Sequence, residues 1–467
     1  MKRTVTLMLI MLAVLSAFGQ AKYVFYMIGD GMGANQVLAT EMYLAELQGK
    51  IGRQQLCMSQ FPYSGQAATF SASNGITDSS AAGTCLASGK KTTNHTLGLD
   101  ANGQPIKTIA EMLHEKDWSV GIMTSVSIDH ATPGAFYAHV ESRSDYYTIG
   151  KQLATSGFDF FGGGTFYQPF DKKDPEHSEN VYDLCEKSGY KFARGYKEYP
   201  ELADADKLIL IQAHEGLTKD YKGEGLLPYA LDKKPKDLTL PQITETAIDF
   251  LSRKGRPFFM MVEGGAIDWA CHSNDAATVI GEVLEFDEAI QVVYRFYKAH
   301  PDETLIVVTA DHETGGMALG NSDYTLNLQA LQNQKVSLDA LSDEIKALHK
   351  QYGRRLEWEQ VKTLLQVNLG LYSVVPVTDE EDEELEDLFD QMRKNKSKDE
   401  KTLYSSVSSL SKKAVKLLDK KAKIGWTTGS HSASAVPIFA VGVGAEQFTG
   451  WHDNSEIMPL ILKATAY

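Results

Sequence analysis

The stretch "KYVFYMIGD", residues 22–30, decides how the rest of the chain is read. Aromatic and aliphatic residues run with little polar interruption and stop at an aspartate. A strand apolar on both faces is buried inside a sheet that helices cover from each side. Five more runs share this texture: "SVGIMTSV" (119–126), "KLILIQA" (207–213), "PFFMMVEGG" (257–265), "ETLIVVTAD" (303–311) and "PIFAVGVG" (437–444). Helical patterns lie between them, at "IKTIAEMLHEK" (106–116), "LPQITETAIDFLSRK" (240–254) and "VIGEVLEFDEAIQVVYRFYKAH" (279–300). Strands alternating with helices predict an α/β fold, with a doubly wound, mostly parallel sheet sandwiched by helices.

The texture changes from about Leu319 to Lys423. This segment is polar, rich in lysine and mostly helical in pattern. The strand "PIFAVGVG" follows it, so it reads as a helical insertion within the α/β domain. Its acidic run "TDEEDEELEDLFDQM" (378–392) reads as the solvated face of a helix.

The chain has 467 residues, of which 43% are hydrophobic and 23% charged, an ordinary globular composition. Its ends differ. "MKRTVTLMLIMLAVLSAFGQA" opens on Lys2 and Arg3, continues in an apolar run to about Ala17 and closes on small residues. That is the layout of a secretory signal peptide over residues 1–20, and the apolar run is short for a membrane span. The expected mature protein, 21–467, is periplasmic or secreted, with no other span. Four cysteines, Cys57, Cys85, Cys185 and Cys271, allow three pairings in that compartment. A net charge of −15 argues against nucleic acid or an anionic membrane as partner. It also requires any site for an anionic substrate to be locally positive against the field of the whole molecule.

Three of the apolar runs deliver a carboxylate at or near their ends: Asp30, Glu263 and Asp311. Ligands of parallel α/β sheets bind beyond the carboxyl ends of the strands, so these acids are expected to converge on one edge. Their neighbours sharpen the expectation. In "VEGGAIDWACHSND", Asp268 and His272 are four apart, which places both on one face of a helix. Imidazole and carboxylate at that spacing suit a zinc ion. In "VTADHETGG", Asp311 and His312 are adjacent, and Gly315 and Gly316 permit a turn after them. His431, in "TTGSHSAS", has no apolar face on which to pack. These are too many ligands for one zinc. They suit two closely spaced zinc ions and a harder third ion such as Mg²⁺, to which Thr132 of "DHATP" could offer a hydroxyl. Clustered cations would supply the local positive charge.

The combination resembles the alkaline phosphatase family. Its motifs occur in the family's order: "MIGDGMG", "TDSSAAGT" with "SGKKT", "DHATP" with "AHVESR", "VEGGAID" with a following His, "TADHETGG" and "GSH". The resemblance spans most of the chain outside 319–423. It implies hydrolysis of phosphate monoesters through a covalent phosphoserine, with two Zn²⁺ and one Mg²⁺. Residue by residue, it implies that Asp268, His272 and His431 hold the first zinc. Asp30, Asp311 and His312 hold the second, and Asp30, Thr132 and Glu263 the magnesium. Arg143 would grip the phosphate, its planar fork matching two oxygens. His130 and Trp269 stand where the best-known bacterial enzyme of the family has Asp and Lys. This change beside the third ion leaves the identity of that ion open. The family is usually dimeric, so a homodimer is compatible with the resemblance.

Two adjacent serines compete for the role of nucleophile. A helix beginning at "TDSSAAGT", with Asp78 or Ser79 at its cap, aims free N–H groups and a positive dipole end at the space before it. Ser80 would be turned roughly 100° away by helical geometry. The resemblance aligns Ser79 with the nucleophile, activated by the second zinc. Sulfatase chemistry lacks its Pro and Arg context here, and a serine hydrolase triad lacks a G-x-S-x-G elbow.

Overall fold

The computed structural model describes residues 19–213, 225–394 and 400–465, with backbone alone at 400–406. Most of the expected signal peptide, residues 1–18, lies outside these. Ten strands form the central sheet of the described residues: β1 (Tyr23–Gly29), β2 (Tyr63–Ala68), β3 (Ser119–Thr124), β4 (Phe160–Gly163), β5 (Tyr190–Arg194), β6 (Lys207–Ile211), β7 (Phe258–Gly264), β8 (Thr304–Thr309), β13 (Val436–Gly442) and β14 (Gly450–Asp453). Four short strands, β9 (Glu313–Thr314), β10 (Met317–Leu319), β11 (Ile424–Trp426) and β12 (His431–Ser432), make two ribbons outside it.

The spatial order is β14-β2-β13-β8-β1-β7-β3-β4-β6-β5. Only β13 runs against its neighbours, β2 and β8; the other pairings are parallel. The central strands β3, β7 and β8 are buried along their whole length, and β1 in all but its first residue. The uninterrupted apolar pattern of "KYVFYMIGD" thus has its physical reason: helices cover both faces. The long helix Ala276–Ala299 packs against β1, β7 and β8, and Leu240–Ser252 against β3, β4 and β7.

The sheet is wider than the six apolar runs suggest. β2 is "YSGQAA" and β14, at one edge, is "GWHD", both of small or polar residues with weak strand signals; β4 ("FFGG") and, at the other edge, β5 ("YKFAR") are short. Helix ends follow their caps. Thr108 and Glu111 form a capping box, so that helix begins at Ile109, later than the apolar pattern does. Asp275 caps the long helix and starts it at Ala276.

β10 pairs antiparallel with β11, so the chain leaves the sheet region and returns to it side by side. Between them lie helices Leu338–Tyr352, Trp358–Leu369, Asp379–Lys394 and Glu400–Lys421. In the acidic helix, Leu385, Phe389 and Met392 turn inward at helical spacing. Its Glu381 takes ion pairs from Lys420 and Lys421, while most of its other acids stay on the solvent side.

Candidate active site

Sheet order assembles the site. β8, β1 and β7 are neighbours, and Ile28 of β1 is in register with Glu263 of β7 and Thr309 of β8. Glu263, near the end of β7, therefore meets Asp30 and Asp311, which follow β1 and β8, at one edge. All three are fully buried. Gly31 follows with φ +72°, and a Cβ there would come within 2.9 Å of Asp268 and of Thr314 Oγ1. Only glycine permits this close approach of backbone to site. Gly315 and Gly316 also have positive φ and turn the chain after His312. That turn pairs β9 with β12 and sets His431 opposite Thr314.

Three donor clusters result, in each of which the ligand atoms lie within 4.8 Å of one another: Asp268, His272 and His431; Asp30, Asp311 and His312; and Asp30, His130 and Glu263. In the first, His272 Nε2 lies 3.2 Å from both Asp268 Oδ2 and His431 Nε2. The Nδ1–H groups of His272 and His431 donate to the carbonyls of Gly429 and Thr77, each at 2.8 Å. A carbonyl only accepts, so both Nε2 atoms turn inward as available ligands. In the second, His312 Nε2 stands 3.2 Å from Asp311 Oδ2 and 3.5 Å from Asp30 Oδ1. Thr314 donates its hydroxyl proton to Asp268 Oδ1 and so accepts from His312 Nδ1, 3.2 Å away. That fixes the same tautomer. In the third, Thr132 donates to Asp30 Oδ2 at 3.2 Å, and Thr124 donates to Glu263.

Ser79 is the first residue of the helix Ser79–Ser88, and Asp78 is its cap, accepting from the Ala81 N–H. Ser79 Oγ lies 3.3 Å from His312 Nε2, at the second cluster. Ser80 turns back and donates to Asp78 Oδ2 at 2.6 Å. The same Asp78 oxygen accepts from Arg143 Nη1 at 3.3 Å, and Arg143 Nη2 donates to His130 Nε2 at 3.3 Å. Asp78 thus ties the start of the serine helix to the guanidinium. Trp269 stands beside His130, ring centroids 6.0 Å apart.

The electrostatics of the clusters ask for cations. Burial raises Asp30 and Asp311 well above the usual carboxylate range, and neighbouring carboxylates add to it. Burial lifts Glu263 to about 7 despite the hydrogen bond from Thr124. Burial and nearby His431 push His312 well below its usual value, and burial with Arg143 takes His130 to about 3. Asp30 Oδ1, Asp311 Oδ2, Glu263 Oε1 and His130 Nδ1 are buried without a hydrogen-bond partner. Orphaned atoms of this kind are costly unless something binds them. Clustered carboxylate oxygens and imidazole nitrogens are the donor chemistry of divalent metal ions.

A cleft of 420 Å³ opens over Ser79 and the first cluster. The structure brings together Ser79, Arg143, Asp30, Thr132, Glu263, Asp268, His272, Asp311, His312, His431, His130 and Trp269. It adds residues that the sequence did not single out. Thr314 sits inside "TADHETGG" but reads there as turn chemistry. Tyr146 and Tyr229 line the cleft without a motif, and Asp339 reaches it from the helix Leu338–Tyr352. No local pattern signals a residue that arrives from an insertion.

A family model described as alkaline phosphatase matches residues 21–467. Alkaline phosphatase 4 of Bacillus subtilis is 31% identical over 400 residues, covering 83% of this chain and 76% of that protein. The crystal structure of a cold-active alkaline phosphatase from a psychrophilic Shewanella species superposes with a TM-score of 0.79 at 27% identity, covering 95% of this chain and 99% of that one. A variant of the alkaline phosphatase of the Antarctic bacterium TAB5, with a histidine replaced by glutamate and Mg bound in its M3 site, gives a TM-score of 0.66 at 25% identity, covering 96% and 99%.

Proposed function

The chain belongs to the alkaline phosphatase family of phosphomonoester hydrolases, and from that premise we propose that Ser79 accepts the phosphoryl group of a monoester and then yields it to water. One observation carries this reading: the Ser79 hydroxyl, at the start of a helix, faces a fully buried Asp30–Asp311–His312 cluster in which one oxygen of each carboxylate is left without a hydrogen-bond partner.

Asp268, His272 and His431 would hold one zinc ion, and Asp30, Asp311 and His312 a second. Asp30, Thr132 and Glu263, with His130 beside them, would hold a third ion, which we assign as magnesium. Bound there, such ions lower the pKa of a hydroxyl or water and stabilise charge on phosphoryl and leaving oxygens. The chain's own residues do the rest. Asp78 fixes the helix start that presents Ser79, and with His130 it fixes the guanidinium of Arg143. Arg143 orients two phosphate oxygens through its planar fork. The histidine tautomers set by Gly429, Thr77 and Thr314 keep Nε2 lone pairs directed inward. Attack by Ser79 breaks the ester P–O bond and releases the alcohol. Water then cleaves phosphoserine and releases phosphate, so two in-line displacements give net retention at phosphorus.

Residues 1–20 support export to the periplasm or beyond. Among the described residues no helix is long and apolar enough to cross a membrane.

The test is turnover of an aryl phosphate with metal analysis of the purified protein. Exhaustive chelation abolishes turnover, and Zn²⁺ with Mg²⁺ restores it; activity that survives chelation overturns the metal assignment. Ser79→Ala lowers turnover by a factor on the order of 10³ or more and abolishes acid-trapped phosphoserine, while Ser80→Ala is mild. The reverse pattern moves the nucleophile to Ser80.

A further inference from the structure

The cleft combines two kinds of lining. Ser79, Arg143 and the histidines suit a phosphoryl dianion. The rest of the lining is largely aromatic and acidic: Tyr146 and Trp269 are half-buried, Tyr229 is buried and Asp339 is exposed. Tyr146 is braced by Tyr167, ring centroids 4.6 Å apart, and Trp269 by His130. A leaving alcohol whose phosphate sits at Ser79 would share the cleft with these residues.

Asp339 comes from the inserted helical segment, in the first turn of a helix capped by Ser337. The insertion is anchored in place: the Ser337 N–H donates to Asp232 at 2.8 Å, and Gln334 and the Leu338 N–H both bond Asp275, each at 2.8 Å. The carboxylates of Asp232 and Asp343 add to the negative field at Asp339; Lys346 and Lys412 act against it, and Lys346 is itself paired with Asp343 at 2.8 Å. A carboxylate that shares a cleft with aromatic rings attracts a cation twice, through its charge and through the negative faces of the rings. It repels an anion in the same place.

We propose that Asp339 is a specificity-determining residue: with Tyr146 and Trp269 it selects phosphate monoesters whose alcohol carries an ammonium group, and disfavours those whose alcohol carries a further negative charge. The inference rests on the phosphomonoesterase reading above and adds the substrate class. Asp339 does not touch the phosphoryl group, so its effect falls on KM while kcat for a neutral ester stays unchanged.

Three esters of matched size separate charge from shape: 2-aminoethyl phosphate, 2-hydroxyethyl phosphate and phosphoglycolate. The wild-type enzyme ranks them in that order by kcat/KM. Asp339→Asn lowers kcat/KM for the aminoethyl ester about five-fold through KM, raises it comparably for phosphoglycolate and leaves the hydroxyethyl ester within about two-fold, as expected for one screened charge near the surface. Asp339→Lys reverses the ranking. Added salt shrinks the wild-type preference toward that of Asp339→Asn. If all three esters shift together in the variants, or none does, Asp339 has no part in selection. If the wild type hydrolyses an aryl phosphate but none of the three, the selection fails while the phosphomonoesterase reading stands; if it hydrolyses no monoester at all, that reading fails as well.

Discussion

Two donor clusters a few ångströms apart solve the same electrostatic problem differently. Asp268, His272 and His431 face the cleft, with the His272 side chain 39% exposed. Here the ligands compensate one another. Burial opposes charge on His272, but Asp268 outweighs it and lifts the imidazole to about 9; the same pairing holds the Asp268 carboxyl well below its usual range. Asp30, Asp311 and His312 lie at zero exposure, and there burial wins. Both carboxyls are pushed up, the imidazole is pushed down, and two oxygens lack partners. The cleft-facing cluster is an ion-paired group in itself, whereas nothing within the buried one carries positive charge. An ion bound at the first would therefore serve mainly chemistry, and one bound at the second would serve chemistry and the fold together.

The largest expected effect breaks the two clusters apart. Asp311→Asn removes a ligand of the buried cluster and should lower turnover by about 10³ or more, with no recovery in excess Zn²⁺, since no alternative donor can enter a closed site. His272→Ala at the exposed cluster should lose less and recover in part as Zn²⁺ is added, because water can fill the missing position. Titration of activity against free Zn²⁺ in both variants checks this. Equal rescue would show that burial does not separate the sites.

The contrast was only half legible in the sequence. Asp30, Glu263 and Asp311 announced themselves because each ends or closely follows an apolar run, and parallel strands point such ends the same way. The Asp268–His272 pair was legible from helical spacing. His431 was legible as a histidine without a core, but its place beside His312 depends on the β9–β12 pairing, which joins segments over a hundred residues apart. The exposure of each cluster could not be read at all, since it depends on how far the cleft opens above the sheet edge. Asp78 was visible as a helix cap; its grip on Arg143, 65 residues away, was not. Among strands, the six long apolar runs were plain and the others were not: β4 is buried but only four residues long, and β2 and β14 carry little apolar residue for a periodicity to act on.

A smaller effect concerns the metal-free protein. Glu263 titrates near 7 when folded, above the ordinary carboxylate value from which burial lifts it. Between that ordinary value and about 7 the folded state binds more protons than the unfolded state, so stability falls as pH rises through this window. Asp30 and Asp311 shift in the same direction and deepen the loss, while His130 and His312, held below the ordinary imidazole value of 6.5, act the other way up to that pH and offset part of it. His272 shifts upward as well, but as a base gaining a partner; its contribution is in place below its unfolded value and is lost only as pH approaches about 9. The chelated protein should therefore lose several degrees of Tm from pH 5 to pH 7.5, while the metal-loaded protein changes little. Glu263→Gln should flatten the chelated profile. A chelated profile that is already flat would mean that the buried carboxylates are compensated by something other than a cation.

The smallest effect tests the third cluster, which is buried throughout. His130 is buried and neutral, and its Nε2 already accepts from Arg143. Imidazole suits zinc better than magnesium, whereas a carboxylate favours the harder ion. His130→Asp should therefore raise apparent affinity for Mg²⁺ by about ten-fold and activity in saturating Mg²⁺ by a few-fold at most. It should also draw Arg143 into an ion pair, so KM for phosphate monoesters changes along with the metal requirement. Isothermal titration of Mg²⁺ into the zinc-loaded variant separates the two consequences. Unchanged Mg²⁺ affinity with altered KM would assign His130 to Arg143 alone and leave the third ion to Asp30, Thr132 and Glu263.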